Sequence, residues 1–229
     1  MRYLEERYQS YLHSGNSFGR AQVNTFLSLL DNSYSSILEV GCGKGFFIYL
    51  FLREKKVHHD KIFGVDIFDS CQKEELKRLA KSFEFRKTID GRNLPFPKNT
   101  FDLVFSMDVI EHVANWQKFI LEQIRVTKSG GKILIGTPNR LRVSNLLLSL
   151  FGKLSYPRSM GKDDYGEVLH LQEFKKEELV NYLESSKEVE NIEAIPSWLG
   201  SNLFKIGFER PSGIFDNFCQ FWFIKFQKI

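Results

Sequence analysis

The sequence is poor in the features that mark secreted, membrane-spanning or nucleic-acid-binding chains. It holds three cysteines, Cys42, Cys71 and Cys219, far apart and without a CxxC pair. That spacing argues against a disulfide framework or a zinc site, so no metal is expected and a reducing compartment fits. No apolar run approaches the roughly 18 residues that a spanning helix needs. The opening stretch MRYLEERYQSYLHSG is polar and charged, unlike a signal peptide. Charge of one sign is scarce as well: 32 basic residues face 28 acidic ones, for a net charge of +4. The basic residues are spread along the chain rather than blocked, which argues against a nucleic-acid-binding arm. The expectation is a soluble, cytoplasmic protein. What is present is material for a core: 229 residues, 42% of them hydrophobic, suffice for one domain and would crowd two.

Between Ile37 and Thr137, short β-rich runs alternate with segments of helical length. SILEV, KIFGVD, FEFRKTI, TFDLVFSM and GGKILIGTP read as strands. FFIYLFLREKK, QKEELKRLAKS and NWQKFILEQIRVT read as helices, with apolar residues at helical spacing in the last. Strand and helix in turn predict a parallel α/β sheet with right-handed crossovers. The flanks differ. Residues 1–31 read as two helices broken at HSGNS, and residues 139–169 as irregular around the apolar piece LLLSLFGKL. KKEELVNYLE predicts another helix, VENIEAIPSW a strand, and FCQFWFIKF a closing buried strand.

The stretch ILEVGCGKGFF places glycine at 41, 43 and 45 directly after the first strand. In α/β sheets such a turn binds nucleotide cofactors above the carboxyl ends of the strands. A phosphate-cradling loop needs Gly-Lys-Ser/Thr, and Lys44 is followed by Gly45. A dinucleotide fingerprint needs a third glycine where Phe46 stands. Glu39, two residues before Gly41 and read as facing the cleft, would repel a pyrophosphate. It suits a ligand that carries an ammonium and a sulfonium, as S-adenosylmethionine does. Asp66 ends the second strand 21 residues past Gly45, where a carboxylate accepts from two ribose hydroxyls. Asp90 follows the third strand, placed to accept from an adenine amino group, and Ser106 and Met107 end the fourth.

EVGCGKG, GVD, LPFPKNTFDLVFSMDVIEHV and SGGKILIGTPN together resemble the successive motifs of class I S-adenosylmethionine-dependent methyltransferases, nearest the ubiquinone-methylase-like small-molecule branch. The resemblance runs over residues 35–140 and more loosely through HLQEF at 170–174. It implies a Rossmann-like doubly wound α/β sheet of seven strands, mostly parallel with the last antiparallel, and helices on both faces. It implies that Glu39, Gly41, Cys42, Gly43 and Gly45 lie near the methionine moiety. Asp66 and Ile67 would meet the ribose, Asp90 and Gly91 the adenine, and the backbone near Ser106 and Met107 the amino group. The corresponding division is a helical lid over 1–34, a cofactor core over 35–138, a substrate-side insertion over 139–172, and a closing helix with strands over 173–229.

Methyl transfer from a sulfonium asks the protein for alignment and, with a hydroxyl acceptor, for removal of a proton. His170, which opens HLQEF, is the first candidate base and His112 the second. At the place of Glu111–His112, some relatives hold a metal or shape the acceptor site; in others the pair orients the helix start. His13 belongs to the amino-terminal lid, and His58 and His59 to a loop on the far edge of the sheet. The insertion is too long for an ordinary connection. Its Leu146, Leu147, Leu148, Leu150 and Phe151 are too apolar for a solvated loop, and Arg140, Arg142, Lys153 and Arg158 flank them. The segment 141–154 packs on its own core, lines a pocket, meets a second copy, or lies on a membrane. The expected activity is methylation of a small-molecule, lipid-linked or glycan-linked acceptor at oxygen, by a monomer or homodimer that binds no nucleic acid. The rivals are nitrogen or carbon methylation and a non-catalytic cofactor-binding subunit.

Overall fold

The computed structural model describes residues 3–15, 17–31, 34–55, 61–163, 166–201 and 206–229. Two helices open the chain, α1 (Tyr3–Leu12) and α2 (Phe18–Ser28), the second capped by Ser17, which accepts from the Arg20 N–H. Then come β1 (Ser36–Val40), α3 (Phe46–Lys55), β2 (Lys61–Asp66), α4 (Lys73–Leu79), β3 (Phe83–Lys87) and β4 (Phe101–Met107). α5 (Trp116–Val126), β5 (Thr127–Pro138) and α6 (Val143–Leu150) follow. A hairpin of β6 (Arg158–Asp163) and β7 (Gly166–His170) leads into α7 (Lys176–Glu184) and β8 (Val189–Ser197). A small pair, β9 (Leu199–Ser201) and β10 (Ile206–Phe208), precedes β11 (Phe221–Lys228). His58 and His59 lie outside the described residues.

Seven strands form one sheet in the order β3-β2-β1-β4-β5-β11-β8. β1 through β5 pair in parallel, and β11 runs antiparallel to both of its neighbours. The predicted seven-stranded arrangement with a reversed closing strand is therefore present. Strand alternation builds two cores, one on each face. On β11, Phe221 and Phe223 join the core that also holds Leu4, Phe26 and Leu50, while Trp222, Ile224 and Phe226 join that of Phe119, Leu179 and Leu183. Aromatic residues on alternate positions of a doubly covered strand explain why FCQFWFIKF is so apolar.

The insertion differs from the irregular segment expected. It holds α6 and the β6–β7 hairpin. α6 is also inverted relative to an ordinary surface helix. Asn145 is its buried residue, whereas Leu147 and Leu150 are 53% and 80% exposed and Phe151, just past its end, is 74% exposed. The helix is held by polar bonds on its inner side instead of by its leucines. Arg142 and Asn145 both reach Glu173.

Candidate active site

The carboxyl ends of β1, β2 and β4 open onto a cleft of about 680 Å³, within the range of small-molecule sites. Its first wall is the glycine turn. Gly41 (φ +75°) donates its N–H to the Val65 carbonyl at 2.8 Å, and a Cβ there would lie 2.3 Å from Val109. Only glycine fits both the backbone and the space. Gly43 (φ +50°) also lines the cleft, and a Cβ on it would meet no protein atom within 4 Å. Its N–H donates to Asp66 Oδ2 at 2.8 Å, while Asp66 Oδ1 accepts from the Phe68 N–H at 2.9 Å. The carboxylate that ends β2 is thus locked against the turn that follows β1, with lone pairs left for a ligand.

Several expected residues lie behind this wall. Glu39 is buried under the turn, and its Oε2 accepts the Ile48 N–H in the first turn of α3 at 3.3 Å. Burial, reinforced by Cys71, drives its carboxyl pKa up. The expectation that it faces the cleft fails because β1 is covered on both faces, and the period of two turns Glu39 toward α3. Cys42 is buried as well, its Sγ 2.8 Å from where a Cβ on Gly64 would sit. Gly45 packs over Leu76.

The opposite wall comes from Thr88 to Arg92. Asp90 is there as expected, but its oxygens serve Arg92: Oδ1 accepts the backbone N–H at 2.9 Å and Oδ2 the guanidinium at 2.8 Å. The Arg92 pairing holds its carboxyl below the usual range. Gly91 lets the chain cross the Phe119 ring, which a Cβ would approach to 2.6 Å. Ile67, Phe68 and Ile89 line the cleft with exposed apolar side chains, Ile89 at 96%. Ile67 was expected. Phe68 and Ile89 were not, although isoleucine in a polar turn (KTIDGRN) is a readable signal.

The floor lies one step beyond the predicted position. Ser106 and Met107 are buried inside β4, and Met107 fills the space above Gly136. Asp108 (φ +55°) and Val109 reach the cleft instead. Gln22 of α2 donates to Asp108 at 3.0 Å, and the protein packed around the carboxyl raises its pKa although the residue stays open to the cleft. Beside it, His112 lines the cleft with its Nδ1 2.7 Å from the Leu169 carbonyl. His170 does not line it: the residue is 7% exposed and packs edge-on against His112, ring centroids 5.0 Å apart. His170 Nδ1 lies 2.8 Å from Glu173 Oε1. Burial pushes the Glu173 carboxyl up, but the His170 ring, Arg142 and Asn145 outweigh it and hold it down at about 2. Glu111 is fully buried between these groups. Its Oε2 accepts from the Thr137 hydroxyl at 3.0 Å, its Oε1 has no partner among the described residues, and burial drives its pKa up. His13 is exposed at the end of α1 and is not among the residues lining the cleft.

A nucleoside with a cationic sulfur fits this donor set. A carboxylate stands where two ribose hydroxyls would be held, exposed apolar side chains offer a surface for a base, and the Gly43 turn leaves room beside them. Comparison with known proteins points the same way. Residues 38–135 match the family described as methyltransferase domain. The chain is 28% identical over 150 residues to a probable S-adenosylmethionine-dependent methyltransferase of Mycolicibacterium smegmatis, which covers 66% of this chain and 50% of that one. It is 34% identical over 109 residues to norajmaline N-methyltransferase of Rauvolfia serpentina, covering 44% and 35%. The chain thus spans half or less of the length of these curated relatives. Among solved structures, a Thermotoga maritima protein described as a SAM-dependent methyltransferase, possible histamine N-methyltransferase, aligns over 100% of this chain and 97% of its own. Its TM-score is 0.62 at 18% identity. The N-methyltransferase NodS of Bradyrhizobium japonicum, in complex with S-adenosyl-L-homocysteine, aligns over 93% and 88% with a TM-score of 0.59 at 15% identity.

Proposed function

We infer that this chain, whose residues 38–135 match a methyltransferase domain, is an S-adenosylmethionine-dependent enzyme of class I that moves a methyl group to an oxygen of a small or lipid-linked acceptor. The observation that carries the reading is that one cleft is lined by two kinds of group. The Gly43 turn and Asp66 suit the cofactor, and Asp108 and His112 are the groups an acceptor hydroxyl needs. When bound, S-adenosylmethionine supplies an electrophilic methyl on a sulfonium, already a good leaving group. Gly41 and Gly43 keep the backbone clear for it, and Asp66 orients it. Val109 and the residues of β7 narrow the space in which an acceptor can approach in line. Asp108 and His112, which line the cleft, would take the proton from an acceptor hydroxyl held there. Of the two histidines considered as bases, His112 reaches the cleft and His170 braces it. An amine acceptor would need less from these groups.

Calorimetry with S-adenosylhomocysteine tests the reading, with one molecule bound per chain as the expected result. Absence of binding at millimolar ligand would favour a scaffold that has lost the cofactor.

The exposed side of α6 favours a lipid-linked acceptor. Its inner side is tied through Arg142 to Glu173, and Glu173 to His170, which packs against the cleft residue His112. The basic flank is weaker than its sequence implies, because Arg140, Arg142 and Arg158 are bound to Glu178, Glu173 and Asn145. Contact with lipid would then rest on Leu147, Leu150 and Phe151. Among the described residues no helix is long and apolar enough to cross a membrane, so the contact would be peripheral. The double change Leu150→Asp with Phe151→Asp should abolish co-sedimentation with phospholipid vesicles. Equal sedimentation of the wild-type and doubly changed proteins would remove the lipid contact.

A further inference from the structure

We propose that Arg92 reads the edge of the cofactor's base, so that the cleft takes a purine with a carbonyl at C6 as readily as adenine. Arg92 has this role only if the methyl-transfer reading holds. The place of the base follows from Asp66. The Thr88 N–H donates to the Asp66 carbonyl at 2.9 Å, which sets the turn from Thr88 to Arg92 beside the end of β2. A ribose held by the Asp66 carboxylate therefore carries its base toward Ile67, Phe68 and Ile89, with Arg92 in the same lining.

That turn is held in one shape. Asp90 Oδ1 accepts the Arg92 backbone N–H at 2.9 Å, and the Thr88 hydroxyl donates to the Asp90 carbonyl at 2.8 Å. Gly91 lies against the Phe119 ring. The guanidinium is fixed in turn, because Nε and Nη2 both donate to Asp90 Oδ2, at 3.1 and 2.8 Å. Two bonds from one planar group set its orientation as well as its position. The Arg92 side chain nevertheless stays 42% exposed.

What this wall offers a ligand is donors. A guanidinium carries five N–H groups and no acceptor, and Asp90 Oδ2 engages only its Nε and Nη2. The Asp90 carboxylate, with about four lone-pair sites, already accepts three hydrogen bonds from Arg92. Most of the accepting capacity expected to meet an adenine amino group is therefore spent inside the turn.

Adenine presents ring nitrogens that accept and an amino group that donates. Hypoxanthine, its 6-oxo counterpart, presents a carbonyl in place of the amino group. A site built to accept from the amino group rejects the 6-oxo base by about 10⁴-fold or more, because its own polar groups are left unpaired. A site read by donors carries no such penalty. The ring nitrogens of either base, and the carbonyl of hypoxanthine, each find an N–H of Arg92. Arg92 is then a specificity-determining residue, and Asp90 the residue that positions it.

Calorimetry on the whole chain with S-adenosylhomocysteine and with S-inosylhomocysteine tests the role. The wild-type affinities for the two should lie within about 10-fold of each other. Arg92→Met removes the donors and frees Asp90 to accept, so it should weaken S-inosylhomocysteine at least about 10-fold more than S-adenosylhomocysteine. A merely structural Arg92 would weaken both alike. Should Arg92→Met fail to fold, Arg92→Lys keeps the charge and loses the planar fork, and the ratio should move the same way by less. Rejection of S-inosylhomocysteine by the wild-type chain by more than about 100-fold, or a ratio that the variants leave unchanged, overturns the role of Arg92 and leaves the methyltransferase reading standing. Binding of neither nucleoside removes both.

Discussion

Asp66→Ala should weaken S-adenosylhomocysteine binding by about 1–3 kcal/mol, roughly 5- to 150-fold. Two losses add in this variant. The carboxylate no longer offers charge-assisted hydrogen bonds to a ribose. The Gly43 and Phe68 N–H groups, held at 2.8 and 2.9 Å, also lose the acceptor that joins the two turns. Asp66→Asn keeps one oxygen, so an intermediate effect is expected. Titration calorimetry on the three proteins measures the series directly. Equal affinities would mean that the end of β2 does not hold the nucleoside.

The largest effect on stability should come from Arg142→Met, at about 3–5 kcal/mol, the usual consequence of leaving one member of a buried ion pair behind. The Arg142 side chain is 9% exposed and that of Glu173 is wholly buried, with two hydrogen bonds between them of 2.6 and 2.7 Å. Without the guanidinium, the carboxylate keeps neutral partners such as Asn145 and Tyr156 beside His170. Arg140→Met is the matched control. Its pair with Glu178 is 31% and 41% exposed, so its loss should cost under about 1 kcal/mol. Urea denaturation of the two variants compares them. Similar midpoints would mean that water reaches Glu173 when Arg142 is gone.

What could be read in the sequence was local. Gly41, Gly43 and Asp66 were legible because a strand, a glycine turn and a distant acid follow one another at fixed spacing. Glu39 was misjudged in direction, since a strand covered on both faces has no polar side to give its phase away. Asp108 was passed over for Ser106 and Met107 because β4 stays buried to its last residue and the chain first reaches the cleft at the left-handed residue that follows. The Arg142–Asn145–His170–Glu173 group was out of reach for another reason. Its members are ordinary polar residues until α6 and the hairpin fold back, and no alternation in YPRSMGKDDYGEVLH announces that hairpin. The HLQEF histidine is brought beside His112 and Glu111 by the bonds from the Leu171 and Gln172 N–H groups to the Glu111 carbonyl, which no local pattern announces.

The reversed strand has a consequence for how the chain assembles. β11 comes later in the chain than β8 yet lies inside it, between β8 and β5. While the polypeptide is being made, β5 and β8 are both finished before anything exists to join them, and each waits with a bare row of amide and carbonyl groups. The glycine turn and the first five strands can therefore close early as a parallel half-sheet, whereas the far half depends on a late insertion that zips two waiting edges at once. Slow synthesis or damage near Phe221–Lys228 should show first as self-association through those edges, before any loss of the nucleoside cradle.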